Sequence, residues 1–129
     1  MSDKDSGLVS VRYIVDDVQA AIDFYTRYLG FTMRSAHLPA FADVTRGSLR
    51  LLLSGPQSSG ARATPVEAAS AGRNRIHLIV DDLDAEVERL QAAGVPLRSE
   101  VVSGPGGRQV LIADPAGNLV ELFTPAAAN

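Results

Sequence analysis

Arg75 and His77 stand two residues apart in the run RIHLIVDD, and Glu121 stands in NLVELF near the end of the chain. Residues two apart on a strand share a face. An extended segment here therefore presents Arg75, His77 and Ile79 together, with Ile76, Leu78 and Val80 behind them. A guanidinium, an imidazole and a carboxylate can hold a polar ligand, and an imidazole can also move a proton near neutral pH. A matching run lies upstream in VSVRYIVDD, where Ser10, Arg12 and Ile14 face one way and Val9, Val11, Tyr13 and Val15 the other. Arginine and histidine on the inner face of a strand are costly unless they are paired or reach water. Their presence argues for a cavity over that face rather than a dry core.

The two runs belong to a repeat. VRYIVDDVQAAIDFYTRYLGF (11–31) and IHLIVDDLDAEVERLQAAGV (76–95) share a plan of strand, V-D-D, helix and glycine at an offset of 65. Asp16-Asp17 and Asp81-Asp82 supply short carboxylates that accept the free N–H groups of a helix's first turn. Ala21, Phe24, Tyr25, Tyr28 and Leu29 recur at helical spacing, as do Val87, Leu90 and Ala93, and Gly30 and Gly94 suit the left-handed position that closes a helix. Strands are predicted at 32–37, 41–46 and 48–54 after the first helix, and at 97–102, 108–113 and 118–123 after the second. Gly104–Gly107 reads as a hairpin turn, since it lacks the Lys-Ser/Thr and helix of a phosphate loop. The expectation is an α+β fold of two tandem βαβββ modules, 8–55 and 74–125, joined by a connector at 56–73 and together making one domain. Their mixed sheet would curve around a cleft. The small-residue run GPQSSGARATPVEAASAG (55–72) reads as a flexible connector or a loop over the site, with room for a helical turn at 65–71.

Composition removes several chemistries. The chain has no Cys, which excludes disulfides, thiolate catalysis and Cys-ligated metals, and Lys4 is its sole lysine, which removes most Schiff-base candidates. A net charge of -3 over 129 residues offers no basic footprint for nucleic acid or an anionic membrane. The polar start MSDKDSG has no signal-peptide character and no apolar run is long enough to span a bilayer, so a cytoplasmic protein is expected.

With VRYIVDDVQAAIDFYTRYLGF in the first copy and ADPAGNLVEL in the second, the chain resembles the vicinal oxygen chelate superfamily. That superfamily includes glyoxalase I, extradiol dioxygenases, fosfomycin-resistance enzymes and bleomycin-resistance binding proteins. The resemblance runs from about Leu8 to Pro125 and implies the glyoxalase/bleomycin resistance fold. It also implies a divalent metal held by a His early in each first strand and by a residue of each module's last strand. Seven residues before Asp17 and Asp82, where the His would stand, are Ser10 and Arg75. The last-strand position holds Glu121 in the second module and, aligning SLRLLL with NLVELF, Leu51 in the first. One carboxylate of four positions falls short of the three protein ligands a catalytic zinc usually needs. No metal and no cofactor are therefore expected.

The candidate ligand-binding residues are Arg12, Phe41, Leu51, Arg75, His77, Arg108, Glu121 and Phe123, with no catalytic residue assigned. Glu121 either pairs with Arg75 or Arg12 across a cavity floor or contacts the ligand. Arg12 holds in the first copy the place His77 holds in the second. Phe41 and Phe123 are stacking platforms or plain core, and Arg108 is an anion clamp or a solvated turn residue. The resemblance to metal-free members implies a small-molecule binder, with an antibiotic or natural product sequestered by a homodimer that can exchange modules. The rival expectation is an enzyme, a lyase, isomerase or dioxygenase, working through a rearranged metal site or through His77 with Glu121.

Overall fold

In a computed structural model, residues 8–63 and 75–126 are described. They fall into two compact units, one ahead of residue 72 and one from it onwards. The first runs β1 (Val9–Ile14), α1 (Val18–Tyr28), β2 (Thr32–His37), β3 (Phe41–Arg46), β4 (Leu49–Ser54) and a short α2 (Ser59–Ala63). The second runs β5 (Arg75–Ile79), α3 (Leu83–Ala92), β6 (Val102–Gly104), β7 (Gly107–Ala113) and β8 (Leu119–Pro125). The α+β class and the doubled βαβββ order are as expected. The helical turn expected at 65–71 lies outside the described residues, and the helix that is described near the connector, α2, comes earlier. Among the described residues no helix is long and apolar enough to cross a membrane.

Both units have the same topology. The sheet orders are β1-β4-β3-β2 and β5-β8-β7-β6, in which the first strand runs parallel to the last and the remaining pairs are antiparallel. The aspartates cap the helices as their spacing predicts: Asp17 accepts from the Ala20 amide at 3.0 Å and Asp82 from the Ala85 amide at 3.1 Å. Gly30 (φ 72°) and Gly94 (φ 84°) then turn the chain out of each helix.

In the first unit the helix-facing side of the sheet holds an apolar core. Tyr13, Ala42, Val44, Leu51 and Leu53 are buried with Val18, Ala21, Ile22, Phe24 and Tyr25 of α1. Edge-to-face ring contacts link Phe24 to Tyr25 (5.2 Å) and Tyr25 to Phe31 (5.3 Å), so Tyr25 is core. Ile76, Leu78, Leu83, Leu90, Val110, Ile112, Val120 and Leu122 form the corresponding core of the second unit. In each unit the polar residues of the first strand are left on the opposite, open face of the sheet.

The strand expected at 97–102 is shorter than its residues suggest. Leu97 makes only an isolated bridge to Ile112, and regular pairing begins at Val102. Pro96 cannot donate to a ladder, and Ser99 spends its hydroxyl on the Leu111 amide (2.9 Å), so a side chain does part of the work of a strand there.

Gly107 opens β7 at φ 149°, and a Cβ built on it would lie 2.2 Å from the Thr124 carbonyl oxygen and 2.9 Å from the Phe123 ring. Gly104, at the other end of the hairpin, has nothing within 4 Å of such a Cβ and no positive φ. Gly107→Ala is therefore expected to cost about 2–3 kcal/mol. Gly104→Ala should stay within about 0.5 kcal/mol of the parent. Urea denaturation of the two variants makes the comparison, and equal losses would show that the close approach at Gly107 does not constrain the hairpin.

Candidate functional site

The parallel pairing of β5 with β8 sets Arg75 opposite Leu119, His77 opposite Glu121 and Ile79 opposite Phe123. Paired residues share a face, so Arg75, His77, Glu121 and Phe123 meet on the open side of the second sheet. Arg75 Nε forms an ion pair with Glu121 Oε1 at 2.9 Å, and His77 Nε2 lies 3.4 Å from Glu121 Oε2. Both carboxylate oxygens are thus engaged. The glutamate side chain is 10% exposed whereas those of Arg75 and His77 are 41% and 47% exposed, so the acid is sunk in the floor and the bases stand above it. The His77 and Phe123 rings sit 4.8 Å apart at 41°. The edge of the Phe123 ring in turn comes close enough to Gly107 to forbid a side chain there.

What brings Glu121 to this register is the turn before it. Buried Asp114 accepts from the amides of Ala116 (3.0 Å) and Asn118 (2.8 Å) through Oδ1, and from the Asn118 side-chain amide (3.1 Å) through Oδ2. Gly117 supplies φ 92° within the same loop. The D-P-A-G-N motif is a self-bonded turn that starts β8 in a fixed phase.

The first unit differs from the sequence-based expectation at one residue. Leu51 is not on the open face: it pairs with Val11 and Val44 and is completely buried on the helix side. Arg12 pairs with Leu52, as His77 pairs with Glu121, so Leu52 is the counterpart of Glu121. The alignment of SLRLLL with NLVELF is one residue out of phase, and a one-residue slip moves a side chain to the other face. The counterpart of Arg75 is Ser10, as expected, and that of His77 is Arg12.

Arg108 also needs correction. It lies next to Gln109 in β7 and shares the side of Val110 and Ile112, away from Glu121. Its guanidinium binds both oxygens of Asp84 in the first turn of α3, at 2.8 and 3.1 Å. Those hydrogen bonds, with the charge of Arg108, hold the Asp84 carboxyl below its ordinary range. Its charge is therefore already paired within its own unit. Phe41 does stand on the open face of the first sheet, paired with Ser54 and His37.

The residue that sequence reasoning missed is Asp43. It is 1% exposed on the open side of the first sheet, where its Oδ2 accepts from Arg50 Nε at 2.6 Å, Arg34 lies 3.6 Å away and the Ser35 hydroxyl donates to Oδ1. Burial pushes its carboxyl up, but the hydrogen bonds from Ser35 and Arg50 and the charges of Arg50 and Arg34 outweigh this and leave it below the usual value of 3.8. The signal was in FADVTR: Asp43 sits between Ala42 and Val44, in phase with Arg50 on the next strand.

The chemistry of these donors does not fit a chelated metal. Ser10 and Leu52 are poor ligands, Arg75 places a cation where another cation would bind, and Glu121 has both oxygens occupied. Among the described residues there is no group of three or more His, Asp or Glu able to hold a metal ion.

A model of the glyoxalase/bleomycin resistance protein/dioxygenase superfamily matches residues 7–122. The chain belongs to that superfamily. Solved structures of similar fold include the lactoylglutathione lyase of Agrobacterium tumefaciens, with 28% identity and TM-score 0.75 over 92% of this chain and 93% of that one. An antibiotic binding protein from Streptomyces sp. CB03234 has 26% identity and TM-score 0.72 over 92% of this chain and 95% of that one. A superfamily member from Nocardioides has 27% identity and TM-score 0.72, covering 95% and 85%. No curated protein matches the chain. The similar structures thus include one named as a lyase and one named as an antibiotic binding protein.

The depressed carboxyl of Asp43 makes a pH prediction. A group whose folded pKa lies below its unfolded value stabilises the fold above that value, and the benefit is lost as pH falls through the folded pKa. Denaturant titrations from pH 7 downwards should show stability falling below about 4. Asp43→Asn should lose about 2 kcal/mol at pH 7 and flatten this acid limb, and an unchanged limb would remove Asp43 as its source.

Proposed function

We propose that this protein is a metal-independent small-molecule-binding member of the superfamily, conferring resistance by sequestering an antibiotic or natural product. The observation that carries the reading is the Arg75–Glu121–His77 cluster. The one carboxylate at an inherited metal-ligand position is held by a guanidinium and an imidazole of its own sheet. Breaking that cluster to admit a cation would strip Glu121 of both partners and bring the cation against Arg75. The same cluster suits an organic ligand. Phe123 offers an apolar ring with the His77 ring tilted beside it, and the nitrogens of Arg75 and His77 supply a few placed polar contacts. The likeness to an antibiotic binding protein supports the reading. A homodimer belongs to it as well, and sedimentation of the purified protein at twice the subunit mass is the expected outcome.

One contact favours a second reading. His77 beside Glu121 has the form of an imidazole oriented by a carboxylate, the arrangement of a general base, and a lyase is among the similar structures. The two readings separate cleanly. A thermal-shift screen against antibiotics should yield a stabilising ligand whose binding weakens about tenfold in Phe123→Ala, with stoichiometric binding and no turnover. Protein purified without chelators should carry no transition metal. About one equivalent of zinc, iron, manganese or nickel per subunit, lost together with a measurable activity in Glu121→Ala, would sink the binding reading. Turnover of a dicarbonyl or catechol that disappears in His77→Gln, without metal, would establish the acid–base one.

A further inference from the structure

The open faces of the two sheets pair their arginines differently. In the second unit Arg75 is neutralised by Glu121. In the first, Arg12 and Arg50 share the face with one buried carboxylate among the described residues, Asp43, which is engaged by Arg50. The counterpart of Glu121 is Leu52, so no acid stands at that position to offset Arg12. Among the described residues Arg12 has no carboxylate partner; its Nη1 donates instead to the hydroxyl of Ser54, a neutral group, at 2.9 Å.

Two of these arginines are also fixed in place. Ser54 is fully buried, so its contact anchors one nitrogen of Arg12, a residue that is exposed as a whole. Arg50 is tethered through Nε to Asp43, and Asp43 is itself braced by Ser35. That leaves the terminal nitrogens of Arg50 for another acceptor, on a side chain 30% exposed. Arg12 pairs with Leu52 and Arg50 with Ser10, so the two arginines are diagonal neighbours on adjacent strands with Leu52 between their bases. Long side chains span such a diagonal. Two held guanidiniums whose remaining donors have no partner among the described residues bind an oxyanion at a lower entropic cost than free side chains would.

We propose that Arg12 and Arg50 form an oxyanion-binding site on the open face of β1 and β4, taking a carboxylate or phosphate group of the ligand. The proposal extends the small-molecule-binding reading, and rests on it for the claim that the anion is part of a larger ligand. The site itself can be tested without that ligand. Sodium phosphate and sodium acetate are titrated separately into ¹⁵N-labelled protein, against sodium chloride at matched ionic strength, while the arginine Nε–H signals are followed. Saturable shifts of the Arg12 and Arg50 signals with one or both oxyanions, absent with chloride, are expected, and the tighter of the two identifies the group. Arg12→Gln should weaken the binding roughly tenfold, whereas Arg27→Gln, an exposed arginine in the last turn of α1, should leave it within about twofold. Shifts no larger than those with chloride, saturation centred on Arg75 instead, or equal weakening by Arg27→Gln would overturn the site. A failed antibiotic screen beside a positive oxyanion titration would remove the larger ligand class and leave the site standing.

Discussion

The parallel pairing of first strand with last is the constraint on which each unit depends. In β1–β4 and β5–β8 alike it closes the sheet against the helix and decides which side chains share the open face. His77 meets Glu121 because the Asp114 turn starts β8 in one phase, and Arg12 meets Leu52 because β4 starts in the matching phase. Caps, glycine turns and aromatic packing serve this register. If it slipped by one residue, the charged trio of β5 and β8 would turn into the core, where unpaired charge is intolerable.

The two sheets share one frame but distribute charge differently. In the second unit the acid lies on the last strand and draws in Arg75 and His77 from the first strand. In the first unit the acid lies on β3 and draws in Arg50 from β4, leaving Arg12 to a neutral hydroxyl. Relocating one carboxylate by a strand thus gives two faces of different character. One is a balanced polar cluster beside an aromatic ring, and the other a buried acid with Arg50 and Arg34 beside it.

Much of this was legible from residue types. The V-D-D caps, the alternation of β1 and β5, and the strands at 32–37 and 41–46 follow from local chemistry that tertiary contacts do not override. The misplacement of Leu51 has a physical source. LRLLLS is apolar on nearly every residue, so alternation cannot tell which leucines face the helix, and only pairing with Val11 and Val44 decides it. Arg108 failed for a similar reason: a residue beside a glycine turn can fall on either face, and its partner Asp84 lies 24 residues away on a helix. Asp43 was passed over because it looked like one polar residue in an ordinary strand. Its meaning lies in Ser35 and Arg50, which come together only when β2, β3 and β4 pair.

The first-with-last pairing also governs how such a chain comes into being. Val9 meets Leu49, and Arg75 meets Leu119, across about forty residues of intervening chain. Each unit must close a long loop before its sheet is complete, which favours slow, non-local folding. On the ribosome, β5 would emerge well ahead of β8, with Ile76 and Leu78 uncovered and Arg75 lacking its carboxylate. The helix of each unit follows its first strand directly and is capped by an aspartate that needs no distant partner. The V-D-D motif thus gives each first strand a local neighbour in sequence, while its partner in the sheet lies about forty residues on.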